Sequence, residues 1–277
     1  MRQRLHGITN YDSLTKVFDT YDFSYYRDNH LLATFAFSPV VGLRLSAGWR
    51  LHRRNLLQWN EVAAANGMAR TLTGFAPRLS VSWTPALYHY RDGNGHAVPL
   101  HSKWPTFMVD YERGLSTFNA STSYERIETD VQYTLPLYAL RALYFRGGCG
   151  FFTRRGPDCF LDYDYFRNNH LFGNWHDELS GQFQLLDARW YNESRHYVRL
   201  SAAYESPMML FSRLRWLTRV VQKERLYINL LNVGTLGYYS EWGYGLSTPI
   251  VDVAGFIALA GHSQTGIGVK FVLRLGD

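Results

Sequence analysis

Residues able to do bond chemistry are present but not gathered. The ten His show no metal-ligand spacing, and the chain has no Gly-x-Ser-x-Gly elbow, Walker loop or His-Glu-x-x-His signature. A hydrolase built on His170 or His176 with a nearby Asp is the only enzymatic reading left, and solvated loop residues explain the same side chains more simply. Cys149 and Cys159 stand ten apart and are open to two readings. One is a disulfide closing a short loop in an oxidising compartment, contributing about 2–3 kcal/mol through loop entropy; the other is a pair of free thiols. Two Cys without flanking His do not make a metal site. The expectation is a protein that is not an enzyme and uses neither metal nor cofactor.

The basic residues are more informative. Net charge is +6, with 29 Lys and Arg, only four of them Lys (16, 103, 223 and 270). They fall singly on alternate positions and do not cluster with interleaved aromatics, so nucleic acid is excluded as the expected partner. Arg forks match phosphate geometry, which makes lipid headgroups of an outer membrane the expected anionic neighbours.

The elements that must position these side chains read as strands. In Ile267–Leu275 the odd positions are Ile, Val, Phe, Leu and Leu, while the even ones are Gly, Lys270, Val and Arg274. The same alternation runs through Val41–His52, where Arg44 and Arg50 share the small and polar side, and through Val198–Tyr204, which carries Arg199. A side with Gly, Arg, Glu and Lys in layer after layer suits the lumen of a transmembrane barrel better than a small dry core. Aromatic residues make up 16% of the chain, a density that suits girdles at two membrane interfaces. Helical spans are excluded because no apolar run reaches eighteen residues. The mean hydropathy of −0.25 averages two opposite faces.

Residues 1–15 read as a polar lead and 16–277 as an all-β, transmembrane antiparallel barrel of about twelve strands. Lys16–Arg27 is a weak first strand, Asp28-Asn29 a turn, and Pro39 a break after Leu31–Ser38. Asn55–Arg70 and Tyr88–Trp104 read as connections. Residues 153–195 form the longest irregular stretch, rich in aromatics, and a loop of that length is usually functional or disordered. Five strands follow it. No apolar h-region follows Met1-Arg-Gln-Arg, so the chain reads as the C-terminal piece of a longer precursor.

Among the closing strands, only residues 206–225 are too many for a hairpin. Ser206 suits a helix N-cap, Pro207 the first helical position, and Met209, Leu210, Leu214, Leu217, Val220 and Val221 recur at helical spacing. Arg213, Arg215, Arg219 and Lys223 make the segment cationic. If the last strand ends at the periplasm, strand parity places this segment on the periplasmic rim.

Tyr163-Asp-Tyr-Phe-Arg-Asn-Asn169, Ala203-Tyr-Glu-Ser-Pro-Met-Met-Leu210, Lys223-Glu-Arg-Leu-Tyr227 and Ser240-Glu-Trp-Gly-Tyr-Gly-Leu246, with Lys103–Gly114, carry a resemblance. They look like the C-terminal half of an uncharacterised outer-membrane barrel family of the Bacteroides group, often preceded by a carboxypeptidase-regulatory-like domain. The layout is similar to the sixteen-stranded assembly barrels of the BAM and TAM type. That resemblance implies outer-membrane biogenesis or transport in a Gram-negative bacterium, about four strands upstream, and periplasmic domains or client proteins as partners. A passive pore or surface-binding barrel is the rival reading. The resemblance also implies that Arg167, at the loop tip, folds inward against Glu241. The sequence departs from the assembly barrels in reading Phe166-Arg-Asn-Asn where they have Arg-Gly-aromatic, and in lacking an Asp on Leu226–Leu231.

Overall fold

The computed structural model describes residues 2–4, 26–56, 71–91, 93, 97–117, 123–138, 140–154, 179–186, 190, 195–207, 209–210, 220–234, 236–261 and 263–273. The strands are Arg2–Arg4 (β1), Tyr26–Val40 (β2), Leu43–Leu56 (β3), Thr71–Trp83 (β4), Tyr88–Arg91 (β5), Ala97–His101 (β6), Thr106–Gly114 (β7), Tyr124–Pro136 (β8), Ala142–Arg154 (β9), His196–Ser206 (β10), Lys223–Val233 (β11), Gly237–Ser247 (β12), Val251–Ala260 (β13) and Ser263–Leu273 (β14). Twelve of them form one sheet in the order β1-β2-β3-β4-β7-β8-β9-β10-β11-β12-β13-β14, and β5 pairs only with β6. Every pairing is antiparallel between sequence neighbours of the sheet, and β1 and β14 are its edges, with no pairing between them among the described residues. Closure into a barrel is therefore not part of the described fold.

Alternation divides each strand between two environments. Leu31, Phe35, Val109, Val198, Leu230, Trp242, Ile257, Val269 and Phe271 are exposed on the outer face. Glu112, Arg126, Glu128, Asp130, Arg146, Arg199, Asn229 and Glu241 are buried on the inner one. A soluble sheet has the opposite polarity, and contiguous apolar exposure of this kind marks a surface that meets lipid or protein. The inner face is filled by rings and aliphatics, chiefly Tyr124, Phe152, Tyr197, Tyr227, Leu231, Tyr239 and Phe256, together with Leu179, Phe183, Leu185, Leu186 and Trp190 from the long connection.

Three local expectations are corrected. Asp28 and Asn29 do not turn the chain; they pair in register with Arg54 and Arg53, because the ladder with β3 overrides turn propensity. Pro39 does not end β2 either. The register shifts between Phe37 and Val40, and β1 pairs with β2 only near Tyr26, so no second ladder needs the missing N–H. Tyr88–His101 is not a plain connection but contains the β5–β6 hairpin. The expected first strand, from Lys16, lies outside the described residues up to residue 25.

Gly148 lies between Asp130 on β8 and Arg199 on β10, opposite both. A Cβ at Gly148 would lie 1.9 Å from Asp130 Oδ1, whereas one at Gly147 would meet Leu200 at an ordinary 3.6 Å. Gly148→Ala should therefore cost about 1–3 kcal/mol through overpacking, and Gly147→Ala much less, in denaturant titrations of the refolded chain. Equal costs at the two positions would contradict this packing.

Candidate functional site

The site is the inner wall and the chain segment held against it. On β3, β4, β7 and β8, Glu112 is the hub: Arg50 reaches it at 2.7 Å, Arg126 at 3.0 Å, and the Tyr124 hydroxyl donates to it as well. Arg126 is directly opposite Glu112, but Arg50 comes from β3, across β4. The residue opposite Arg50 is Ala76, fully buried, whose single methyl leaves room for the guanidinium to pass. Arg78 joins Asp110 at 2.6 Å one step along the same wall.

A second cluster lies on β8, β9 and β10. Asp130 receives Arg146 through Nε at 3.0 Å and Nη2 at 2.5 Å, and Arg199 at 2.5 Å. Glu128 receives Arg199 at 3.3 Å and the Tyr197 hydroxyl at 2.8 Å. Each of these β8–β10 contacts crosses a whole strand. Gly148 is the residue between Asp130 and Arg199, and Gly150 the residue between Glu128 and Tyr197. With no side chains on the inner side of β9 at those points, groups two strands apart meet over a bare backbone. Diagonal reach by long side chains supplies the Arg146 contact.

Burial gives these pairs their weight. Taking two charges out of water costs about as much as their attraction returns, so such pairs add little net stability, but removing one partner costs about 3–5 kcal/mol. The clusters thus specify strand order and register more than they stabilise the fold. At the end of the sheet where β10 meets β11, Glu205 accepts Lys223 at 2.7 Å and Arg225 at 2.9 Å. Arg225 also approaches Asp252, which accepts the Ser247 hydroxyl at 2.5 Å.

The long connection enters this inner space at β11, β12 and β14. Fully buried Glu241 accepts the backbone N–H groups of Gln184 at 2.7 Å and Leu185 at 2.8 Å, and the Tyr239 hydroxyl at 2.7 Å. Asn229 donates to the Gln182 carbonyl at 3.0 Å. Leu185 packs over Gly268, where a Cβ would come within 2.5 Å of Leu185 Cδ2, and Phe183 and Trp190 both lie against the Tyr239 ring. A carboxylate accepting two adjacent main-chain N–H groups holds backbone whatever side chains it carries.

The residues singled out from sequence are placed as follows. Arg50 and Arg199 belong to the buried clusters, and Lys270 is half-buried on the inner register of β14. Arg44 shares the inner register of β3 with Arg50 but is exposed, near the open end of that strand. Glu241 is on the inner wall and grips the loop as described, while Arg167 lies outside the described residues. So do His170, His176, Cys159, Arg213, Arg215, Arg219 and Arg274. Cys149 is a free thiol facing outward from β9, with Sγ 3.2 Å from the Thr129 hydroxyl. Ser206 is not a helix cap but the buried last residue of β10, and Lys223 is not in the connecting segment but opens β11. Asp130, Glu128, Glu112, Arg126 and Arg146 were missed. Their signal was the alternation of Arg126, Glu128 and Asp130 facing a Gly148-x-Gly150 pair, legible only once β8 and β9 are known to be neighbours. Among the described residues, no group of three His, Cys, Asp or Glu is arranged to hold a metal.

Glu241→Ala should strand two buried N–H groups, at about 1–3 kcal/mol each, while Glu241→Gln keeps one acceptor oxygen and should lose roughly half as much. Proteolysis of the long connection would read the difference. Equal protection in the wild type and Glu241→Ala would remove Glu241 from the anchoring role.

The fold is similar to a solved structure described as BamA from Haemophilus ducreyi lacking POTRA domains 1–3, with a TM-score of 0.50 and 10% sequence identity. The match covers 90% of this chain and 54% of that one, so the chain spans about half the length of the structure it resembles. At this identity the likeness concerns the fold alone. No curated protein matches the sequence. A family model described as the C-terminal domain of a family of unknown function (DUF5686) matches residues 4–246. On that match, which takes in most of the sheet from β2 to β12, the chain belongs to the DUF5686 C-terminal domain family.

Proposed function

We propose that the chain is the C-terminal portion of a larger outer-membrane β-barrel of a Gram-negative bacterium, of the Bacteroides group, acting in outer-membrane biogenesis or transport. Its outer wall meets lipid. Strands missing from the barrel, and a carboxypeptidase-regulatory-like periplasmic domain, lie upstream in the precursor. It works as a scaffold around a held loop, without bond chemistry, cofactor or nucleic acid. The observation that carries this reading is the inverted polarity of a BamA-like sheet whose buried inner carboxylate grips the main chain of the long connection.

The rival, a passive pore, needs a wide wet lumen. Against it stand the aromatic and aliphatic side chains of the 179–190 stretch that fill the space beside β11 to β14. Conditional depletion of the full-length protein should lower the abundance of other outer-membrane proteins or of an exported client before growth stops. An unchanged outer-membrane proteome together with loss of small-solute permeability would favour the pore and overturn the assembly reading.

Arg167 completes the loop anchor by meeting Glu241. A carboxylate has about four lone-pair sites, and three hydrogen bonds already reach Glu241. One site is left, so the contact is a single hydrogen bond and not a fork. In a double-mutant cycle of Arg167→Ala with Glu241→Gln, the coupling should exceed the roughly 0.2–1 kcal/mol of an exposed pair. Additive effects would place Arg167 in solvent.

A further inference from the structure

The two ends of the sheet differ in charge. Five connections join strands at the end reached by Val40 and Ser247: 41–42, 84–105, 137–141, 207–222 and 248–250. Their sequence holds six bases, Arg91, Lys103, Arg141, Arg213, Arg215 and Arg219, against one acid, Asp92. The connections at the opposite end, 5–25, 57–70, 115–123, 155–195, 234–236 and 261–262, hold six bases and eleven acids.

Among the described residues they differ in exposed apolar groups too. At the basic end Val40, Trp104, Tyr138, Leu140 and Ile250 are exposed, Tyr138 to 94% and Leu140 to 85%. Leu140 adopts a φ of 60°, a left-handed conformation that side chains other than Gly and Asn seldom take. At the acidic end the exposed turn residues among those described include Ser116, Thr117, Gly234 and Gly261, and one large ring, Tyr238, is exposed beside them.

The 207–222 connection adds a third observation. By alternation, Ser206 and Glu224 belong to the outer wall, paired in register, yet both are fully buried. Glu224 accepts the Leu210 N–H at 2.8 Å and the Tyr244 hydroxyl at 2.7 Å. A carboxylate on an otherwise apolar wall is tolerated because these donors satisfy it. The chain at Leu210 is thus held against the outside of the sheet, with the Leu210 side chain exposed beside the apolar wall.

We propose that this basic end is seated in the headgroup layer of a leaflet containing anionic phospholipid. Its apolar turns enter the acyl boundary, its Arg and Lys meet phosphates, and the chain at Leu210 is latched to the wall by Glu224. The inference rests on the membrane reading above. Phospholipid is favoured over a protein partner because exposed Leu210 is held to the outer wall by Glu224, in continuity with its apolar band.

The test uses the full-length protein, upstream strands included, reconstituted in phosphatidylcholine vesicles with and without phosphatidylglycerol. In a Cys149→Ser, Cys159→Ser background, single cysteines carry an environment-sensitive dye: Val269→Cys at mid-wall, Leu140→Cys, Ile250→Cys and Leu210→Cys at the basic end, and Ser116→Cys at the acidic end. The three basic-end labels should shift to the blue and be quenched by a shallow spin-labelled lipid, more so with phosphatidylglycerol, while the Ser116 label reports water. If the Val269 label reports lipid and the basic-end labels report water, the inference is overturned and the membrane reading stands. A Val269 label in water overturns both. Quenching indifferent to phosphatidylglycerol overturns the phosphate contact. Glu224→Ala should return the Leu210 label alone to water, and Glu224→Gln, which keeps an acceptor, should not. A Leu210 label unmoved by Glu224→Ala overturns the latch.

Discussion

Charges facing away from water must be paired, and the organisation of this sheet follows from that constraint. Nine-tenths of the side chain of Arg126, Arg146, Arg199, Glu112, Glu128 or Asp130 is withdrawn from solvent, and an unpaired ion in such a place costs several kcal/mol. The wall answers with contacts that cross strands. Because the Asp130–Arg199 and Glu128–Tyr197 contacts span β9, they exist only if β8, β9 and β10 are neighbours in one register and if β9 presents Gly148 and Gly150 between them. A slip of one residue would turn every charge toward the apolar side. The ion pairs therefore fix register, and the glycines are as much part of them as the charged groups.

The inner wall has two characters along the sheet. From β3 to β10 it is a lattice of guanidinium and carboxylate groups; from β11 to β14 it is mostly rings, aliphatics and glycine, with Glu241, Asn229 and Lys270 among them and the Arg225–Asp252–Ser247 cluster at one end. The long connection lies against the second region. Apolar filling excludes water there, which strengthens the hydrogen bonds that Glu241 makes to Gln184 and Leu185. Packing and hydrogen bonding are thus coupled: Leu185 sits over Gly268 while its own N–H is held by Glu241.

Glu224 and Glu241 are one device used on opposite faces. Each is a fully buried carboxylate on a strand of the C-terminal half, each accepts a tyrosine hydroxyl, and each accepts main-chain N–H from a segment that connects two strands. Glu241 ties the connection from one end of the sheet to the inner wall, and Glu224 ties that from the other end to the outer wall. Main-chain recognition of this kind places little demand on the sequence of the connections.

Amino-acid order alone determined what period two can express. The greasy and polar faces of β3, β8 and β14, the antiparallel all-β class, the strands after residue 196 and the assignment of Arg50, Arg199 and Glu241 to one face all follow from alternation, because side chains on a strand alternate strictly. Strand ends were less legible where local chemistry was outvoted: Pro39 stays in β2 because no second ladder needs its N–H, and Asp28-Asn29 stays extended because β3 pairs with it. What only the tertiary structure decided is who meets whom. That Gly148 separates Asp130 from Arg199, that Ala76 lets Arg50 reach Glu112, and that Glu224 is buried on a wall facing outward depend on the order and register of strands distant in sequence. Those are fixed by the summed packing of the whole sheet, and no local pattern of residues encodes them.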